Sequence, residues 1–294
     1  MVWRYRRAIP LRGASRRSAL PCLSQRCRLD GRDRHGAQSH TAVDVVLGGL
    51  LDRQPNARNV GRPIPTALGL SRYETAFGIL HKPRAGMVRP DHDKIGGKPQ
   101  DHVEVDETWV GGRTRGEGRG VHHKVLVSCA VEVRHRKPGT KLDNRKDGRY
   151  AGRVRLAVVP DRSANSLCGF VENAVAPGSL IVTDDWSGYA GLGKRGFDHH
   201  ALAECGDPEV AEEFMPIIHL VFANLKTWIN GIHHGVSAKH LQAYLNEFTF
   251  RFNRRFYPFN SFRSLLGIAG GAAAPTFDEL YSGEWAHPTF SGCG

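Results

Sequence analysis

The order of elements between residues 103 and 256 limits this chain's fold more than any other feature. Three β-runs come in succession. "VEVDETWV" (103–110) leads through a basic, glycine-rich loop, "GGRTRGEGRGVHH", into "KVLVSCAVEV" (124–133). A charged hairpin connection, "RHRKPGTKLDNRKDG", then leads to "RVRLAVVPD" (153–161). "SANSLCGFVENAVAPGS" (163–179) reads as a helix, with Ser163 as its cap and Gly178 near its end. "LIVTDD" (180–185) is a short buried strand, and helical segments follow at 208–233 and 237–256. In the last of these, Leu241, Tyr244, Leu245, Phe248 and Phe252 recur at three- and four-residue steps. Three strands, a helix, a strand and then helices describe an α/β fold. It is an RNase H-like mixed sheet flanked by helices, not a parallel doubly wound one.

The flanks read differently. Residues 1–62 are dense in arginine ("RYRR", "SRRS", "QRCRLDGRDRHG") and nearly lack apolar periodicity. Only "AVDVVLGGLLD" (42–52) has an apolar face to bury. A basic N-terminal region, disordered or degraded, is expected there, with a DNA-binding arm as the alternative. Residues 63–100 form a helical segment and linker. Leu68, Leu70, Tyr73, Phe77 and Leu80 fall at helical spacings, and Ser71 with Glu74 fits a capping box. This segment is either half of a small DNA-binding unit or a helix packed on the main domain. "RPDHDKIGGKPQDH" (89–102) is a polar linker. The RNase H-like domain is assigned to 101–266 and a loose C-terminal tail to 267–294, with one helical turn at "FDELY".

A chain of 294 residues suffices for one large or two modest domains. Its formal net charge of +12 calls for a polyanionic partner, and nucleic acid is the commonest. No apolar run approaches the ~20 residues of a membrane span. "MVWRYRRAIPLRG" has the charge of a signal peptide without the apolar stretch. A cytoplasmic, nucleoid-associated protein is expected. The six cysteines, at 22, 27, 129, 168, 205 and 293, are scattered as free thiols would be. Cys22 and Cys27 make at most half of a zinc site.

Acids within a buried strand need a reason, because an unpaired buried carboxylate costs several kcal/mol. In "VEVDETWV", Val103, Val105, Glu107 and Trp109 point one way, and Glu104, Asp106, Thr108 and Val110 the other. "LIVTDD" runs an apolar strand into Asp184 and Asp185, at the strand end where open α/β sheets place their chemistry. Asp106 and Asp184 together outline a two-carboxylate metal site suited to phosphodiester chemistry, and their hard oxygens favour Mg2+ or Mn2+. A third ligand is expected from a following helix. His219 and Lys226 are seven residues apart there, about two turns, and so share a face. Asn224 lies on another.

"VEVDETWVGG", "LIVTDDWSGY" and above all "HLVFANLKTWINGIHHGVSAKHLQAYLNEFTFRFNRR" resemble the bacterial insertion-sequence transposases of the ISXO-like group. The resemblance covers roughly 65–266. It implies a DDE-type catalytic domain that cuts DNA at element ends and transfers strands, with water or a DNA 3′-hydroxyl as nucleophile. By position, Asp106 matches the first catalytic Asp, Asp184 the second, and Lys226 the lysine beyond the third site. His219 stands where many relatives have Glu or Asn. A neutral nitrogen donor there should shift preference from magnesium towards manganese. Such transposases commonly begin with a zinc ribbon of paired cysteine knuckles, which this sequence lacks. The implied partners are element ends, target DNA and further copies of the chain on paired ends. A catalytically inactive, DNA-binding relative and an RNase H-like nuclease without strand transfer are the alternatives.

The basic residues then acquire a use. Arg113, Arg115, Arg119 and Lys124 bracket the glycine-rich loop beside Asp106. Lys239, His240, Arg251, Arg254 and Arg255 line the last helix. Such groups position DNA through its phosphates without reading sequence. Trp186 and Trp228 are candidates for stacking on a base, with a core role favoured for Trp228.

Overall fold

The computed structural model describes residues 72–87, 94–111, 124–136, 148–202, 214–233, 235–257, 260–269 and 275–282. All lie in the second of the two units into which the chain divides, 1–39 and 40–294. The expectations for residues 1–62 fall outside the described residues, as does the loop 112–123.

Five strands form one sheet in the order β3-β2-β1-β4-β5. They are β1 (His102–Gly111), β2 (Lys124–His135), β3 (Arg149–Val158), β4 (Leu180–Asp184) and β5 (Asp198–Leu202). β1 pairs antiparallel with β2, and β2 with β3. β4 runs parallel to β1, and β5 parallel to β4. The two connection types follow from chain geometry. A hairpin reverses the strand direction, whereas a helical crossover keeps it. The crossover is α2 (Ala164–Ala174), after α1 (Tyr73–Ala85) ahead of the sheet. α3 (Pro216–Ile232), α4 (Leu241–Asn253), α5 (Ser261–Ala269) and α6 (Phe277–Ser282) follow. The mixed α/β, RNase H-like architecture is the one the element order implied.

Alternation along the strands sends side chains into two cores. Val110, Val127, Cys129 and Val131 pack against Ile217, Val221 and Leu225 of α3 and Leu245 and Phe248 of α4. On the other face, Val103, Val105 and Ile181 pack with Leu167 and Val171 of α2 and with Tyr189. A fully buried Leu, Ile or Val contributes about 1.5–3 kcal/mol, so these layers carry most of the stability. The periodic residues Leu241, Leu245, Phe248 and Phe252 are all buried. Trp228 packs against this core, the role favoured for it over base stacking. Cys129 and Cys168 are buried free thiols, and burial raises the pKa of each.

Several boundaries differ from the sequence-based expectations. β3 begins at Arg149 rather than 153, because the hairpin ladder continues through Arg134↔Tyr150 and His135↔Arg149. α2 stops at Ala174, short of 179. The chain leaves the helix to pair Val175 with Ile95, with Ile95 N donating to Ala174 O at 2.9 Å. β5, "DHHAL", has no apolar run to announce it. It is an edge strand with Asp198, His200 and Ala201 exposed, the usual composition of a protected edge. The N-cap of α1 is Arg72 and makes no side-chain cap bond, while Ser71 lies outside the described residues. α1 packs on the main domain. Arg84 Nε donates to Glu247 Oε2 of α4 at 2.7 Å, with both side chains buried. The turn expected at "FDELY" is α6, whose Leu280 joins Phe77 and Ala85 of α1. No helix among the described residues is long and apolar enough to cross a membrane.

Candidate active site

The three acids of β1 have three different surroundings. Glu104 is fully buried, and its Oε2 accepts from Ile218 N in the first turn of α3 at 2.6 Å. A carboxylate there satisfies an N–H with no intrahelical partner and meets the positive end of the helix dipole. Asp106 lies two residues on, on the same face. Its Oδ1 accepts from Glu107 N at 2.6 Å.

Asp184 reaches Asp106 from the neighbouring strand. The β1–β4 register pairs Val103 with Ile181 and Glu104 with Val182, and the same offset brings Asp184 beside Asp106. Carboxylate oxygens of Asp106, Glu107 and Asp184 lie within 4.8 Å of one another. Hard oxygen donors at this separation fit a divalent cation.

Glu107 enters the cluster from the α2 side and is held there. Arg162 Nε donates to its Oε1 at 2.5 Å, and Arg162 Nη2 contacts the same oxygen. Tyr189 Oη donates to Oε2 at 2.5 Å. Burial, then the charge and hydrogen bond of Glu107, push the Tyr189 pKa far above its ordinary range, so the phenol remains a donor. Arg162 also lies 3.9 Å from Asp184 Oδ2 and stacks 4.0 Å over the Trp186 ring. The exposed Trp186 is thus a platform for a guanidinium. Sequence reasoning passed over Glu107, Arg162 and Tyr189. Glu107 had a signal in the density of acids in "VEVDETWV", but its alternation pointed it away from Asp106. Arg162 had none.

His219 does not join the carboxylate set among the described residues. It follows Ile218 on α3, and its Nε2 is buried without a hydrogen bond among the described residues. Asn224 is half-buried on the same helix. Lys226 comes close enough to Asp106 and Lys124 for their charges to act on it. Partial burial and Lys124 lower its pKa, and Asp106 opposes them. Lys226 therefore lies within reach of the charge of Asp106, with Lys124 near it.

Arg113, Arg115 and Arg119 lie outside the described residues. Lys239 Nζ donates to Tyr281 O at 3.1 Å, and His240 packs edge-on to Phe77. Arg251 Nε donates to Glu247 Oε1 at 2.9 Å, and Arg254 lies 3.9 Å from the Phe250 ring centre. Arg255 Nη1 donates to Gly152 O at 3.2 Å and Nη2 donates to Ala151 O, tying the end of α4 to β3. The contacts of Lys239, His240 and Arg255 join elements of the fold, whereas those of Arg251 and Arg254 run along α4.

Two acids on adjacent parallel strands, a third beside them and an ammonium nearby can together bind a divalent cation and an anionic ester. A family model described as the ISXO2-like transposase domain matches residues 98–253, the span from β1 through α4. No curated protein and no solved structure matches the chain.

Proposed function

The chain belongs to the ISXO2-like transposase domain family, and on that footing we propose that it cleaves DNA at insertion-sequence ends and transfers the freed strands to a target. The observation that carries this reading is the meeting of the Asp106 and Asp184 carboxylates, from separate strands, within 4.8 Å. These two residues would hold Mg2+ or Mn2+. Bound there, the metal would activate the attacking oxygen and stabilise the leaving one. Lys226 holds the scissile or adjacent phosphate by charge, with Lys124 beside it. Arg113, Arg115 and Arg119 extend the phosphate contacts along the loop after β1. Lys239, His240, Arg254 and Arg255 belong to the same proposed DNA surface only where their packing contacts leave donors to spare.

His219 is proposed as the third-position residue, supported by its buried Nε2 and its place one residue beyond the helix turn held by Glu104. An imidazole at this position favours manganese over magnesium. His219→Glu should therefore raise the ratio of Mg2+- to Mn2+-supported cleavage, and an unchanged ratio would remove His219 from the site. The imidazole's separation from the carboxylate set also favours a second reading, a DNA-binding relative without catalysis. Assembly of several copies on paired ends and a cytoplasmic, nucleoid-associated location belong to the first reading.

The deciding experiment is strand transfer with pre-cleaved ends in Mn2+. Asp106→Asn should abolish the product while leaving the circular dichroism spectrum unchanged. Strand transfer at the wild-type rate in that variant would refute the assignment. DNA binding by the wild type without any metal-dependent product would establish the second reading.

A further inference from the structure

Glu107 is one of three carboxylates facing a common point, yet both of its oxygens are occupied by protein donors. Arg162 takes Oε1 and Tyr189 takes Oε2. The side chain is 2% exposed, whereas that of Asp184 is 24% exposed, so solvent does not compete for Glu107.

Arg162 is fixed independently of Glu107. Its own carbonyl accepts from Trp186 Nε1 at 3.0 Å while its guanidinium lies over the same indole. The next residue, Ser163, caps α2 by accepting from Ser166 N at 3.3 Å. Asp161 Oδ1 accepts from Ser163 N at 2.9 Å and from Ser166 Oγ at 2.8 Å. The loop after β4 closes over this turn at Gly188, where a Cβ would stand 2.8 Å from Arg162 O. Any larger residue would force the two loops apart. The guanidinium is thus delivered to the edge of the carboxylate cluster by a turn held by its own hydrogen bonds and by Trp186.

We infer that Arg162 is a resident counter-cation of the metal site, which withholds Glu107 from the metal and keeps metal affinity low until DNA arrives. This rests on the reading of Asp106 and Asp184 as metal ligands. Three carboxylates around one divalent ion leave a net negative charge and hold the ion tightly. Two carboxylates neutralise it and leave coordination positions for phosphate oxygens. Arg162 enforces the second state in two ways. It occupies Glu107, and it places a positive charge 3.9 Å from Asp184. Arg162 is a positioning residue acting through Glu107.

The test is a Mn2+ titration of the full chain without DNA, followed by electron paramagnetic resonance of the free ion. Arg162→Gln removes the charge and releases Glu107, so Mn2+ should bind about tenfold tighter. The double variant Arg162→Gln, Glu107→Gln should return to the wild-type affinity or below it. A role confined to holding the loops would loosen the site and weaken binding instead. Affinity at or below wild type in a folded Arg162→Gln protein overturns the inference. If that protein fails to fold, Tyr189→Phe serves. It frees Oε2 with little change of shape and should tighten Mn2+ binding about two- to threefold. An unchanged affinity there is equally fatal. Asp106→Asn separates the two layers of the reading. If it binds Mn2+ like the wild type, the metal site itself is wrong and the inference falls with it. If Asp106→Asn loses Mn2+ and Arg162→Gln does not gain it, the inference alone is wrong.

Discussion

Glu104 illustrates why an acid is tolerated in the middle of a buried strand. Its carboxylate sits at the start of α3 and takes the Ile218 N–H, so its charge has both a hydrogen bond and a favourable dipole. Glu104→Ala should cost about 2–4 kcal/mol, by stranding that N–H and opening a cavity. Urea unfolding would measure it, and a destabilisation below about 0.5 kcal/mol would mean that the bond matters little. Asp106 and Asp184 were legible as a pair because each interrupts an apolar run. Glu107 was read as facing away from Asp106, and by alternation it does. Its carboxylate still joins the cluster, because Arg162 and Tyr189 hold it beside Asp106 and Asp184. No one-dimensional pattern encodes partners 55 and 82 residues away.

At the scale of elements, the docking of α1 on α4 is polar as well as apolar. Arg84, buried, pairs with Glu247 and lies 4.2 Å from the Tyr244 ring centre. Removing one partner of a buried pair costs about 3–5 kcal/mol, so Arg84→Ala should release α1 and raise hydrogen exchange across Tyr73–Ala85. The same interface should respond to acid. Burial, reinforced by Arg84, His240 and His233, lowers the His81 pKa to about 3 from its ordinary 6.5. Between those values the unfolded chain binds a proton that the folded one refuses, so stability falls as pH drops from 6.5 towards 3. Burial would raise the Glu247 pKa, but Arg84 and Arg251 outweigh it and hold it low. Its contribution is present above the ordinary carboxylate range and is lost as pH falls through the lowered value. Both groups therefore loosen α1 in acid. The unfolding midpoint should decline with pH below 6.5, and His81→Phe should flatten that decline down to about pH 5, above the range where carboxylates titrate. An unchanged slope in the variant would exclude His81. The amphipathic spacing of α4 was plain in the sequence. The buried Glu247 on it was not, because a charge on that face makes sense only when α1 is in place.

For the whole molecule, a net charge of +12 predicts DNA affinity that falls steeply with salt. Replacing Lys226 or Lys124 with Ala should lower the slope of log affinity against log salt by about 0.9 for each phosphate left without its lysine. Gel-shift titrations across a salt series would show it, and a slope unchanged in both variants would move the DNA path away from the acidic cluster. The order of β1 to β4 with α2, α3 and α4, the two strand-borne aspartates and the basic excess were determined by sequence alone. Periodicity, chain direction and charge are properties of neighbouring residues. The edge strand β5, the joining of Glu107 to the cluster, the separation of His219 from it and the commitment of Arg255 to β3 were decided only in the folded chain. Each depends on which distant group arrives at a given atom, and only packing brings those groups together.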